Sequence, residues 1–499
     1  MARGILIGID LGTTVLKVCA FDGATGAVRA RASERLPVSM LRDGGREQSI
    51  PKLDAALQKA MRTVCSSLGT GLSRVHGVGV AAQGGSSIIA DRVSGRARTP
   101  MISWNDARGN AYSARVLNHF PREYWRRLAL RDFAPAGLCR LIWLKERRPE
   151  LFNAGHIHIG AGEYLFHRLT GVWRQDPGHA IQIGAYDAAN FRLEQEPLEM
   201  VGMPLSFLAP LRATHETAPL SRRGARLFGI PEGIPVAGPY IDQEAGYLSA
   251  ASALPNPLQV SLGTAWVGNF ELPKGVNGKS PIQLVLPAPS GNRRLVVLPL
   301  LTGSASWDWA LSRFVDQGHS AALERAAKVF RDSLLPPEGL FAVPWFTQQN
   351  GLFPECSGDG LFCGVSAQTS ANDMLRAVAA GMVFEFARTF AFIRTTPIVD
   401  GIVLGGGASK GDYFCRLFSA IFSPLPVYRQ QDEDLAAARG ALHVFGGKVS
   451  AAPLRKLAQP NAGIRDRMTR SFEQYKIVFD RSFGFDERSE PFRIARRKS

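Results

Sequence analysis

Apolar side chains dominate residues 5–21 except at one break. Ile5-Leu6-Ile7-Gly8-Ile9 ends on Asp10, Gly12-Thr13-Thr14 follows, and Val15 to Phe21 resumes the apolar run. That pattern predicts a β-hairpin, and Ala27 to Arg31 alternates like a third strand. Pro51 suits a first helical turn, and Leu53, Leu57, Met61, Val64 and Leu68 recur every three to four residues, which predicts a helix. Val75 to Val80 reads as a buried strand emptying into the small-residue loop Ala81-Ala82-Gln83-Gly84-Gly85-Ser86-Ser87, and residues 137–170 read as helical. Ile234 to Gly238 leads a strand into Asp242-Gln243-Glu244-Ala245-Gly246. The small, twice-proline stretch Ser249 to Pro257 predicts a domain boundary, hence domains 1–248 and 249–499. Met374, Val378, Met382, Phe386, Phe390 and Ile393 form one stripe of a core helix from about Asn372 to Ile393. Val399 to Leu404 predicts a strand running into Gly405-Gly406-Gly407-Ala408-Ser409, with a helix beginning near Asp412 and a last one over 472–480.

At 499 residues the chain is long enough for two or three domains. No apolar run reaches the roughly 18–20 residues of a membrane span; the longest, Ala377 to Ile393, is interrupted by Glu385 and Arg388. Met1-Ala2-Arg3 leads straight into a core strand, so the expectation is a cytoplasmic protein with no membrane partner. The formal charge of +16 is spread along the chain, with only a short basic tail at 493–498. It reads as a solvated surface favouring anionic substrates, with no nucleic-acid partner. Six scattered cysteines without CxxC spacing argue against disulfides or zinc, and His156-x-His158 reads as structural.

The candidate chemistry sits at strand ends. Gly12 lets backbone approach a ligand closely, and Thr13 and Thr14 can donate to phosphate oxygens. Asp10 can hold Mg²⁺ directly or through water. The alternative is an ordinary hairpin turn. Ser261-Leu262-Gly263-Thr264 echoes Leu11-Gly12-Thr13-Thr14, which suggests an internal duplication. Gly303 lies in another small-residue turn feeding a helix. The loop Trp104-Asn105-Asp106-Ala107-Arg108 suits a polyhydroxylated ligand, or else a surface turn in which Asp and Arg pair with each other. Gly405, Gly406 and Gly407 can back a flat ligand or serve tight helix–strand packing. Asp242 is a candidate carboxylate at a strand end, or the N-cap of the helix beginning at Gln243.

Six segments in order, GIDLGTT at 8–14, W-N-D-x-R at 104–108, L-x-W-L-K at 141–145, D-Q-x-A-G at 242–246, S-L-G-T at 261–264 and L-G-G-G-A at 404–408, resemble the FGGY family of carbohydrate kinases over roughly residues 4–450. The resemblance implies an α/β fold of two actin-like (ribonuclease H-like) ATPase domains around a central cleft. It implies transfer of the γ-phosphoryl group of ATP, with Mg²⁺, to a hydroxyl of a small sugar or polyol, a pentulose such as xylulose first. Asp242 would be the catalytic base, sharing the metal with Asp10. Gly12, Thr13, Thr14, Lys17, Gly263, Thr264 and Gly303 would face the phosphates, and Gly405, Gly406, Gly407 and Ala408 the adenosine. Gln83, Gly84, Trp104, Asn105, Asp106, Asp242 and Gln243 would face the sugar. A homodimer is left open.

The chain departs from the family pattern at two loops. Xylulokinase-like members usually show G-Q-M-H-G where this chain has Ala82-Gln83-Gly84-Gly85-Ser86, and the usual G-G-G before D-Q has become Gly238-Pro239-Tyr240-Ile241. The second change introduces bulk beside the expected base. Other family substrates (ribulose, a tetritol, glycerol, an aldonate), a degenerate kinase-fold binding protein and an actin- or chaperone-like ATPase are the competing readings. Retention of both Asp10 and Asp242 argues against the degenerate form.

Overall fold

The computed structural model describes residues 4–213, 215–263, 265–273, 277–279, 283–287, 293–300, 303–315, 319–346, 360–396, 398–483 and 493–495. Contacts divide the chain into two compact units. The first is Met1–Ala253 with Leu284–Leu295 and Leu435–Ala452; the second is Leu254–Gln283 with Val296–Asp434 and Pro453–Ser499.

The first unit is built on a six-stranded sheet. In chain order its strands are β1 (Ile5–Leu11), β2 (Val15–Asp22), β3 (Val28–Arg35), β4 (Val75–Ala82), β5 (Thr217–Pro219) and β6 (Pro235–Ile241), and they lie in the order β5-β6-β4-β1-β2-β3. The central three, β6, β4 and β1, are mutually parallel. Every residue of β1 is buried, as expected of a parallel strand covered on both faces. The hairpin, the third strand and helix α1 (Ile50–Leu68) all form as expected. Residues 137–170 are not one helical region: α2 (Ala136–Arg147) stops at Arg148-Pro149, and strand His156–Ile159 intervenes before helix Ala161–Thr170. Pro149 cannot continue a helix, and Gly155 marks the turn. Two further helices matter below, α3 (Pro177–Ile183) and α4 (Asp242–Ala251).

The second unit repeats the opening topology. Its strands β7 (Pro257–Leu262), β8 (Trp266–Pro273), β9 (Gly401–Gly405), β10 (Val427–Gln430) and β11 (Leu454–Lys456) lie in the order β8-β7-β9-β10-β11, with β7, β9 and β10 parallel. Leu262 faces Trp266 across the Gly263 turn as Leu11 faces Leu16 across the Gly12 turn, so the faint sequence echo marks a shared strand–glycine–strand device. Helix α5 (Ala371–Thr389) is buried on every side from Leu375 onward, wider than the expected stripe, and Ile393 belongs to a separate turn, Phe392–Thr395. Buried Glu385 on this helix takes both arms of Arg388 at 2.9 Å and the Tyr475 hydroxyl at 2.9 Å. Tyr475 lies on the final helix α6 (Ala462–Phe483), which runs well past the expected 472–480.

Contacts divide the chain differently from a single cut after residue 248. Ala, Ser and Leu carry α4 through it to Ala251, and two later segments, 284–295 and 435–452, return to the first unit. The second of these packs closely. Its short helix Ala436–Gly440 meets α4 so tightly that a methyl on Gly440 would overlap the Ala245 carbonyl, and one on Gly8 of β1 would overlap that of Ala438. Gly440→Ala is therefore expected to destabilise the protein. Overpacking of about 1–3 kcal/mol exceeds the roughly 1 kcal/mol that Ala gains over Gly in a helix. Urea unfolding checks this, and an unchanged midpoint contradicts the close approach.

Candidate active site

The three parallel strands of the first unit finish together. Leu11 and Ile241 both pair with Ala82, so the residues at the ends of β1, β4 and β6, namely Asp10, Gln83 and Asp242, converge on one edge of the sheet. Carboxyl ends of parallel strands are where open α/β sheets place ligands. Asp10 is buried and has Lys17, its cross-strand neighbour, at 3.7 Å. Burial raises the Asp10 carboxyl above its ordinary range, and the Lys17 charge opposes this only in part. Asp242 is the first residue of α4, with part of its surface open, and its Oδ1 accepts the Gln243 N–H at 2.8 Å. Its carboxyl is pushed up to about 7, first by its deep setting and then by the negative charge of Asp10. The two carboxylates thus sense each other, and at neutral pH Asp242 is poised to exchange a proton.

The hairpin turn is wired to its neighbours. Thr13 Oγ1 donates to Gln83 Oε1 at 2.9 Å, Gln83 Nε2 donates to Gln48 Oε1 at 3.0 Å, and Gln48 Nε2 donates to the Thr13 carbonyl at 2.9 Å. Trp104 Nε1 adds a bond to Thr13 Oγ1 at 3.3 Å. Gln83 is 4% exposed, so much of its hydrogen-bonding capacity serves this ring. Gly12 closes the turn through its N–H to the Val15 carbonyl, and Thr14 stands exposed.

The Trp104 loop divides in two. Trp104, at 45% exposure, and Asn105 face solvent, whereas the Asp106 side chain is sealed. Asp106 accepts from the Arg46 N–H at 2.7 Å and from Arg108 at 2.8 to 3.1 Å, and Arg108 also pairs with Glu47 at 2.7 Å and lies over the Trp143 ring. The expectation that Asp106 meets the sugar is therefore corrected: its oxygens are taken inside the protein, as in the Asp–Arg turn. The bulk expected at 238–241 turns inward too. Tyr240 is buried beneath Arg212 with its hydroxyl 3.0 Å from His215, and Ile241 is 4% exposed.

In the second unit the glycine loops also share one edge. The Ser304 N–H donates to the Gly263 carbonyl at 3.1 Å, which puts the Gly303 turn beside the Gly263 turn. Ser261 pairs with Gly405, and Gly406, at φ +86°, lies against the backbone of Leu262, where a side chain would collide. Gly407 is exposed with open space around it and begins the next turn, Gly407–Lys410, which includes Ala408. Thr264 lies outside the described residues.

A sequence model described as the FGGY family of carbohydrate kinases, N-terminal domain, matches residues 5–249, and its C-terminal counterpart matches residues 300–445. The chain belongs to the FGGY family of carbohydrate kinases. It is thus a phosphotransferase whose family uses ATP. It is similar to a xylulose kinase of Escherichia coli (24% identical over 462 residues, 91% of each chain) and to a glycerol kinase of Methylobacterium nodulans (24% over 464 residues, 89% of each). Its fold matches the crystal structure of xylulose kinase from Rhodospirillum rubrum with a TM-score of 0.84 at 19% identity, covering 96% of this chain and all of that one. The chain therefore carries the two-domain α/β fold of FGGY kinases.

Several residues around this candidate site escaped the sequence reading. Arg140, 2% exposed on α2, donates to the Gly85 carbonyl at 2.7 Å, to Ser87 Oγ at 3.1 Å and to the Trp104 carbonyl at 2.8 Å, clamping two loops. Burial lowers its affinity for the proton to a pKa of about 10, still charged at neutral pH. Gln48 and Arg212 were missed likewise, because an isolated polar residue far away in sequence gives no local pattern. No described helix is long and apolar enough to cross a membrane, the five described cysteines are free, and His158 is buried against His179. Arg140→Met is expected to lose about 2–4 kcal/mol of stability, since three loop acceptors lose a charged donor. Thermal unfolding checks this, and an unshifted midpoint removes the clamp.

Proposed function

We propose that this FGGY kinase phosphorylates a ketopentose of the xylulose class, with Asp242 as the base. The observation that carries the reading is the convergence of Asp10 and Asp242 at the ends of β1 and β6, the parallel strands on either side of β4, with the Asp242 carboxyl at about 7. A base poised there takes the acceptor hydroxyl's proton as its oxygen bonds to the γ-phosphorus and the bond to the ADP oxygen breaks. Xylulose is supported by the W-N-D-x-R loop and by xylulose kinases among the relatives.

Mg²⁺ fits this donor set. Among the described residues no group of three or more His, Cys, Asp or Glu gathers to hold a metal, and the two carboxylates suit an ion that takes its other ligands from water and phosphate. Bound with ATP, it supplies charge neutralisation on the phosphate oxygens. Lys17 and the Gly12, Thr13 and Thr14 turn face the phosphates in this reading, joined by Gly263 and Gly303. Gly405, Gly406, Gly407 and Ala408 back the adenosine. The exposed Trp104 ring covers the sugar's C–H edges while Gly84, Asn105 and Gln243 meet its hydroxyls; Gln83, whose side-chain oxygen and nitrogen are engaged by Thr13 and Gln48, holds the turn in place instead of meeting the sugar as expected.

Purified protein with MgATP and a panel of ketoses, polyols and aldonates tests the reading through ADP release. D-Xylulose is expected to give the largest stimulation, and Asp242→Asn to lose at least about a thousandfold in kcat while still binding ATP. No stimulation by any acceptor, or an active Asp242→Asn, overturns it. The acid limb of the pH profile follows from the raised carboxyl. Below about 7 Asp242 keeps its proton and cannot accept another, so kcat/KM falls about tenfold per pH unit there. A profile flat from pH 5 to 8 removes Asp242 from the base's role.

A further inference from the structure

The loop that departs most from the xylulokinase pattern, Gly84-Gly85, is not left empty. Gln182, on α3, lays its side-chain amide against both glycines. A Cβ on Gly84 would stand 2.9 Å from Gln182 Nε2 and 3.1 Å from Ile241 Cγ2, and one on Gly85 would stand 2.8 Å from Gln182 Cδ and closer still to its Oε1. Gly85 also holds φ +74°, which side-chain-bearing residues rarely adopt. The two glycines and Gln182 therefore form a matched set. The space that side chains at 84 and 85 would occupy is taken by one amide from another helix.

That amide is partly exposed and makes no hydrogen bond to any described residue. It lies beside Ile241, the residue that leads directly into Asp242. Its helix is firmly set. Asp176 caps α3 through the Gly178 and His179 N–H groups at 2.6 and 3.3 Å, and Gly184 ends it in the left-handed conformation. Asp176 also pairs with Arg212 at 3.1 Å, and Arg212 pairs with Glu244 of α4 at 2.7 Å. One buried ion cluster thus positions both the helix carrying Gln182 and the helix carrying Asp242. A rigidly mounted amide with a free donor and a free acceptor at such a point is suited to reading hydroxyl and carbonyl groups.

We propose that Gln182 is a substrate-binding residue that sets acceptor choice, its amide hydrogen-bonding an acceptor hydroxyl or carbonyl beside the Gly84-Gly85 loop. The inference rests on the kinase reading above and deepens it. A site built to bond a particular hydroxyl discriminates strongly against an analogue that lacks it, because its own polar group is left unpaired. Gln182→Leu keeps the volume and removes both hydrogen-bonding functions, and Gln182→Glu keeps an acceptor while removing the donors.

The test measures kcat and KM for each acceptor that the wild-type enzyme phosphorylates, for its deoxy analogues, and for ATP. Gln182→Leu is expected to raise the acceptor KM at least tenfold with the ATP KM within twofold of wild type. One deoxy analogue, penalised by the wild type, should be treated by Gln182→Leu no worse than the parent sugar. Gln182→Glu should rank the acceptors in a different order. If both variants keep the wild-type acceptor KM and ranking, the inference fails while the kinase reading stands. Loss of thermal stability with all acceptor ratios unchanged also overturns it, as a packing role. If no acceptor raises ADP release in the wild type, the kinase reading falls and this inference falls with it.

Discussion

Arg212 is 4% exposed and joins three pieces of backbone that the chain supplies from well-separated positions. It donates to Asp176 at the cap of α3, to Glu244 in the first turn of α4, and through Nε to the Pro239 carbonyl of β6 at 3.1 Å, while its plane lies over the Tyr240 ring at 4.4 Å. Burying a guanidinium is costly, and the cost is offset only when good partners surround it. Here Glu244 and Asp176 overcome the burial and hold Arg212 protonated more firmly than usual. The cluster has more carboxylates than cations. Burial, which Arg212 only partly counters, and the neighbouring Asp176 charge push the Glu244 carboxyl upward, and Asp176 also adds to the negative field felt at Asp242. A single ion cluster therefore fixes the strand end mechanically and tunes the carboxylate that sits on it.

Around that strand end, polar groups fall into two populations. Asp106, Arg108, Gln48, Gln83 and Arg140 are engaged with one another or with loop carbonyls, which freezes the loops in one arrangement. Trp104, Asn105, Thr14 and the Gln182 amide keep surface in reach of a ligand. Preorganisation of this kind places the entropy cost of ordering in folding and leaves less of it to binding. It also explains how a loop of bare glycine can remain well defined: its shape comes from the side chains packed against it.

Much of the fold was legible in the sequence because its signals are local. The run from Ile5 to Leu11, the Gly12 turn and the periodic apolar stripe of α1 each announce an element within a dozen residues. The paired carboxylates were legible through their flanking motifs. Asp106 was misread because Trp104-Asn105-Asp106-Ala107-Arg108 contains both a ligand-facing surface and its own internal ion pair, and composition cannot say which side chain points where. Gln182, Arg140 and Arg212 were invisible for a different reason. Each works on groups tens of residues away, so its meaning exists only after the chain has folded. The break at Arg148-Pro149, by contrast, carried a proline that a stricter reading of helix stops would have used.

The return of residues 435–452 to the first unit bears on how the chain can be made. Ala438 and Gly440 press against β1 and α4, and Leu435, Leu442 and Val449 complete an apolar cluster with Leu6, Cys19 and Phe21. A nascent chain emerging from the ribosome holds the strands of this sheet by about residue 241 yet lacks part of their covering until some two hundred residues later. During that interval the apolar faces of β1 and β2 await their partner, which makes this a natural point for chaperone capture. It also means that the first unit is not a fragment that can be cut out at the end of α4: its core is written in stretches far apart along the chain.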